Sequence, residues 1–135
     1  MNIDSITLET VRNLIETRYD AVSHPGLKLK DQEKEKNLIL RAILQVCEFC
    51  RLNPIDFMNT SFSEKENNEP HGMVFVFLVD YKFIRKNIVF KVLFNEALSK
   101  NGSYVSTLTR RHGRLMDDSK IDYRKTFDLL KASVL

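Results

Sequence analysis

Cysteine is scarce in this chain, and so are the residues that punctuate turn-rich folds: 135 residues contain two Cys, three Pro and four Gly. Two thiols cannot supply the disulfide framework of a small secreted scaffold. A chain of this length needs none, because it buries about two-thirds of the surface that it exposes when unfolded. No apolar run approaches the roughly 18 residues of a membrane-spanning helix. The opening Met1-Asn2-Ile3-Asp4-Ser5 lacks the positive start and apolar centre of a secretory signal. The expectation is a cytoplasmic protein, not engaged with membranes, in which Cys47 and Cys50 are reduced. Catalytic signatures are missing as well. There is no Gly-rich loop ending in Lys-Ser/Thr to hold phosphates, and no Gly-x-Ser-x-Gly elbow for a nucleophile. Nor is there a second cysteine pair or a finger-spaced histidine pair to complete a zinc site. No enzymatic activity, cofactor or metal is expected.

What is present is an ordinary globular composition, 43% hydrophobic and 29% charged, which argues for one folded domain over residues 1–135. The charge is unevenly spread. Residues 1–72 carry nine Lys/Arg against twelve Asp/Glu, whereas residues 73–135 carry twelve against six. Between Lys82 and Arg114 eight basic residues meet a single acid, Glu96. Such a stripe is either a solvated surface or the footprint of a polyanionic partner.

Helical periodicity begins with Leu8, Val11, Leu14 and Ile15, with Ser5 or Thr7 as candidate cap. Ser23-His24-Pro25-Gly26 breaks that helix. The polar run Lys28–Asn37 leads into a second helix with Leu38, Ile39, Ala42, Ile43 and Val46 on one side, ending near Arg51-Leu52. Asn53-Pro54 suits the cap and first turn of a short third helix. Residues 61–70 read as an exposed acidic loop. Met73–Phe94 is ambiguous, because its apolar runs are rich in β-branched and aromatic residues. Propensity allows a hairpin turning across Asp80–Asn87, while the helical neighbours favour two buried helices. The fold expected is all-α, a small helical bundle containing a helix-turn-helix, with an α+β fold carrying a hairpin at about 73–94 as the alternative.

The helix-turn-helix is placed at about 88–116. A helix running to Leu98 stops at Lys100-Asn101-Gly102, where Gly102 would take positive φ, and Ser103 caps the next helix. On that helix Val105, Leu108, His112, Leu115 and Met116 form an apolar stripe. Ser103, Thr107, Arg110 and Arg114 lie opposite, flanked by Ser106 and Arg111. One side is suited to packing and the other to base edges and phosphates in a DNA groove. Lys82, Arg85, Lys86 and Lys100 are candidates for further phosphate contacts. A last helix buries Ile121, Phe127, Leu129 and Leu130, with Ser119 and Asp122 as its caps.

Several of these residues resemble a family. Val46-Cys47-Glu48-Phe49, Leu52-Asn53-Pro54, Phe57 and Ser61 look like the opening of the C-terminal duplex-binding domain of the bacterial replication initiator DnaA. Asn101-Gly102-Ser103-Tyr104-Val105-Ser106-Thr107-Leu108 lies where that family has Gly-Gly-Arg-Asp-His-Ser/Thr-Thr-Val. Leu115-Met116-Asp117-Asp118 and the helix after it are also similar. The resemblance covers about residues 37–135, leaving an N-terminal helical element of about 1–36. It implies helices for Met73–Phe94 and duplex DNA as the partner. Tyr104 and Val105 stand where the family has its DNA-contacting Asp-His. The acidic Phe62-Ser63-Glu64-Lys65-Glu66 replaces a basic loop. A protein–protein adaptor on a DNA-binding-type fold is therefore the second expectation. The acidic N-terminal region is a candidate for homodimerisation or for a protein partner.

Cys47-Glu48-Phe49-Cys50 has the spacing of a redox or half-zinc motif, but without a second pair it reads as two small core residues one helical turn apart. His112 reads as a core histidine. Asp117-Asp118 reads as a capping or solvated pair, and Glu64, Glu66 and Glu69 as solvated loop acids.

Overall fold

The computed structural model describes residues 3–60, 69–118 and 121–134. The protein is all-α, a small bundle of seven α-helices with no strand among the described residues. The hairpin alternative for residues 73–94 is thereby set aside. The capping pair at Ser119 and most of the acidic loop, residues 61–68, lie outside the described residues.

Helix α1 spans Ser5–Asp20. Its cap is Asp4, not Ser5 or Thr7: the Asp4 carboxylate accepts from the Thr7 amide at 2.7 Å and from the Thr7 hydroxyl at 2.9 Å. A carboxylate at this position serves an orphan amide and the positive end of the helix dipole together. Helix α2, Leu29–Cys50, absorbs almost all of the polar run. It closes on Arg51, which is left-handed at φ 55°. Helix α3, Pro54–Asn59, starts as its sequence predicts, with the Asn53 side chain accepting from the amides of Ile55 and Asp56.

Helix α4, Glu69–Val76, runs into a π-helical turn, Phe77–Tyr81, and α5 follows at Lys86–Phe94. Glu69 and Pro70 thus open a helix and are not loop residues. Every residue from His71 to Leu78 is buried. The apolar run has no polar face because α4 packs against α2, α5 and the helix after α5. Burial on all sides overrides the strand propensity of Val and Phe.

Between the π turn and α5 the chain turns at Phe83, whose φ is +59°. This region costs an ordinary L-residue about 1–2 kcal/mol. Helix α5 stops at Asn95 (φ 56°), so the expected continuation to Leu98 does not occur. Asn accepts the left-handed region more readily than most side-chain-bearing residues. A 3₁₀ turn at Leu98–Lys100 leads into α6, Gly102–Asp117. Gly102 is therefore a first-turn helical residue, not a positive-φ stop, and Asn101 precedes the helix where Ser103 was expected to cap it. Helix α7, Ile121–Ser133, ends the bundle. It buries Tyr123, Phe127 and Leu130, while Leu129 is largely exposed.

The buried residues from Val11 to Val134 form one cluster. Inside it lies one guanidinium. Arg18, only 8% exposed, donates from Nη1 to the carbonyls of Met58 and Val92, each at 3.0 Å. Both carbonyls belong to C-terminal turns, of α3 and of α5, where the helix leaves them without intrahelical partners. The neighbouring α3 carbonyls are also claimed: Asp56 O by the Thr60 hydroxyl and Phe57 O by His71 Nε2–H. Replacing Arg18 by Met keeps an apolar stem but strands both carbonyls. Arg18→Met is expected to lower the unfolding free energy by about 2–4 kcal/mol, read as a lower urea midpoint.

Candidate nucleic-acid interface

The candidate surface is built on α6. Val105, Leu108 and Leu115 are buried, and Tyr104 and Met116 pack partly against the core. Ser103, Ser106, Thr107, Arg110 and Arg114 are exposed. The division follows the helical period, as the sequence predicts. Arg110 and Arg114 lie one turn apart, and neither guanidinium meets a carboxylate among the described residues. The Thr107 hydroxyl donates to Ser103 O at 3.1 Å, which holds its side chain along the helix surface. Arg111 is half-buried.

Helix α6 is seated at both ends. Near its start the Tyr104 ring meets Phe94 edge-on at 5.5 Å and Phe90 at 6.1 Å. Tyr104 and Val105, the residues standing where the resembled family has Asp-His, are thus turned toward the core. Further along, the His112 ring packs on Phe127 at 4.7 Å, and its Nδ1 lies 2.6 Å from the Tyr123 hydroxyl. The Arg124 guanidinium donates to Met116 O and caps the C-terminal end of the helix.

The remaining basic candidates are distributed around the preceding segment. Arg85, Lys86 and Lys100 are exposed. Arg85 donates to Pro25 O at 3.3 Å and so ties the start of α5 to the α1–α2 connection. Lys82 is half-buried, with Nζ 5.7 Å from the Phe77 ring centre, which leaves it less reach than an open phosphate arm. The link from α5 to α6 runs from Asn95 to Asn101, seven residues. This is longer than the three to four residues of a usual helix-turn-helix turn. The geometry therefore gives an exposed basic helix behind an extended connection.

The other candidates have local explanations. Cys47 is buried and Cys50 partly so, both on α2. Burial pushes the Cys47 thiol up to about 12, and burial also raises Cys50, with Glu69 adding to the effect. A redox or nucleophilic pair needs the opposite shift. Among the described residues no group of three or more His, Cys, Asp or Glu could hold a metal ion. No described helix is long and apolar enough to cross a membrane. Two notable residues lack a strong sequence signal. Arg18 looks like any last-turn arginine of an amphipathic helix. Phe83 is marked only as an aromatic set between Lys82 and Arg85.

Comparison with family models, with curated proteins and with solved structures finds no match to this chain.

Two outcomes follow from the buried groups. With Cys47 held as the thiol, iodoacetamide at neutral pH is expected to leave it unmodified in the folded protein, whereas both cysteines react in urea. Mass spectrometry of the alkylated protein reads the difference. His112 is held below its ordinary value, first by burial, with Asp80 opposing and Lys131 adding. The folded state thus favours the neutral ring, while the unfolded chain takes up a proton near about pH 6.5. The stabilisation is fully present above that pH and is lost as pH falls toward the lower folded value. Between pH 7.5 and 5.5 the urea midpoint is expected to drop further for the native sequence than for His112→Asn. Equal drops would remove His112 from the pH dependence.

Proposed function

We propose that this protein binds duplex DNA through the exposed face of α6, as a transcriptional regulator or an accessory replication factor, and that it is not an enzyme. The single observation that carries the reading is the division of α6. Its apolar side is seated in the core, while Ser103, Ser106, Thr107, Arg110 and Arg114 are open on the other. Arginine's planar fork suits guanine edges and phosphates, and small hydroxyls suit phosphate oxygens. Lys100 adds positive charge just before the helix and Lys86 at the far end of α5, with Arg85, Arg111 and Lys82 in lesser roles. The likeness of the Asn101–Leu108 stretch to the DnaA C-terminal domain supports the same reading. A cytoplasmic setting accords with it.

The test is a duplex titration by fluorescence anisotropy at two salt concentrations. Duplex binding is expected to weaken steeply with salt, with a log–log slope near about −0.9 per phosphate neutralised. Arg110→Ala with Arg114→Ala is expected to weaken it by at least tenfold, about 1–3 kcal/mol for each arginine that reads a base. An unchanged affinity in the double variant removes α6 from the interface.

The second reading is a protein–protein adaptor on the same fold. It is favoured by the inward packing of Tyr104 and Val105, where the resembled family has its DNA-contacting pair. The acidic α1–α2 region offers the surface for a partner or a second copy: Glu16, Asp20 and Glu33 surround Lys36 there. An adaptor would show no retention on DNA at moderate salt. A dimer through that region would sediment as one.

A further inference from the structure

Phe83 is the most exposed large hydrophobic residue among those described, at 83%. Its ring has no aromatic neighbour among the described residues, yet its backbone is held in the left-handed region, where a bulky aromatic is an outlier. The chain on either side is pinned. The Lys82 amide donates to Phe77 O at 3.2 Å, and the Ile84 amide donates to Leu78 O at 3.1 Å. Ile84 is itself buried. The turn therefore anchors its two neighbours and holds the phenyl ring outward. Glycine would take this backbone without strain, so folding alone does not account for an aromatic here. Along the chain the turn is followed by two exposed basic residues, Arg85 and Lys86, and the nearest acid on that side is Glu96.

A rigidly presented aromatic ring beside cations fits a polyanion that also offers apolar faces. Nucleic acid has both, phosphates outside and base faces within. Apolar wedges of this kind enter between base pairs and kink the duplex, and base–aromatic contact tolerates any sequence because every base has a π-face. We infer that Phe83 packs against a base step of bound duplex DNA, with Lys86 on a flanking phosphate. This rests on the duplex-binding reading above and adds to it a second contact outside α6.

The chain contains no tryptophan, so Phe83→Trp places one unique reporter at the turn. In the full-length protein, emission from the introduced indole is expected to be quenched on saturation with a duplex of about two helical turns, and its quenching by acrylamide to fall at least twofold. Phe83→Gly, which relieves the backbone and is expected to fold at least as well by circular dichroism, should bind the duplex at least fivefold more weakly. Its salt slope should match the native one, because no charge is lost. If anisotropy shows the duplex bound while the indole stays unquenched and open to acrylamide, the ring contact is refuted and the α6 reading stands. If the native chain binds no duplex, both fall together. If vesicles of phosphatidylserine and phosphatidylcholine blue-shift the indole emission at an ionic strength where the duplex leaves it unchanged, the turn belongs to a membrane surface and the inference is overturned.

Discussion

A single buried guanidinium joins three helices of this bundle. Helix ends are the weak points of an all-α core, because their last carbonyls have no partner inside the helix. Here the C-terminal turns of α3 and α5 both point into the interior, and Arg18 of α1 serves one carbonyl from each. A positive charge at two negative helix ends gains from both dipoles, and the hydrogen bonds offset the cost of removing the charge from water. Burial lowers the Arg18 pKa, but arginine starts so high that it stays protonated. Lysine would carry the charge without the forked geometry. The arrangement ties α1 to the ends of α3 and α5.

From the end of α5 the consequences pass to the candidate surface. Phe90 and Phe94 on α5 hold Tyr104 near the start of α6, and α7 holds its far half through Tyr123 and Phe127. An amphipathic helix clamped at two points by aromatic contacts is stiff. A contact surface needs that stiffness, because side chains on a mobile helix would have to be ordered on binding. The same clamps explain why the inward residues of α6 are bulky while the outward ones are hydroxyls and arginines.

Much of this is legible in the amino-acid order, and the failures share a cause. Asn53-Pro54 marks the start of α3 because both residues act locally, through a side-chain acceptor and a fixed φ. The two faces of α6 follow from spacing alone. Met73–Phe94 is ambiguous because burial on every side erases periodicity, and only the neighbouring helices resolve it. The stop before α6 is misread because Gly102 is the more obvious left-handed residue, yet Asn95 takes that conformation. The first cap is misread by one residue at its nearer candidate, since Asp4 and Ser5 are both good caps and only the fold shows which amide faces which side chain. Arg18 and Phe83 are illegible for a deeper reason. An arginine's burial and a phenylalanine's exposure are set by what packs around them, against the usual preferences of both side chains.

The π-helical turn at Phe77–Tyr81 sets where the last side chains of the first apolar run face. A wider turn holds an extra residue, so its last side chains are rotated by roughly 100° relative to a continuous α-helix. That rotation brings Tyr81 to Phe127 at 5.5 Å and beneath Lys131. Residue count there matters more than residue identity. Losing one position would swing Tyr81 away from Phe127 and Lys131, while α5, which starts afresh at Lys86 beyond the turn at Phe83, would keep its own phase.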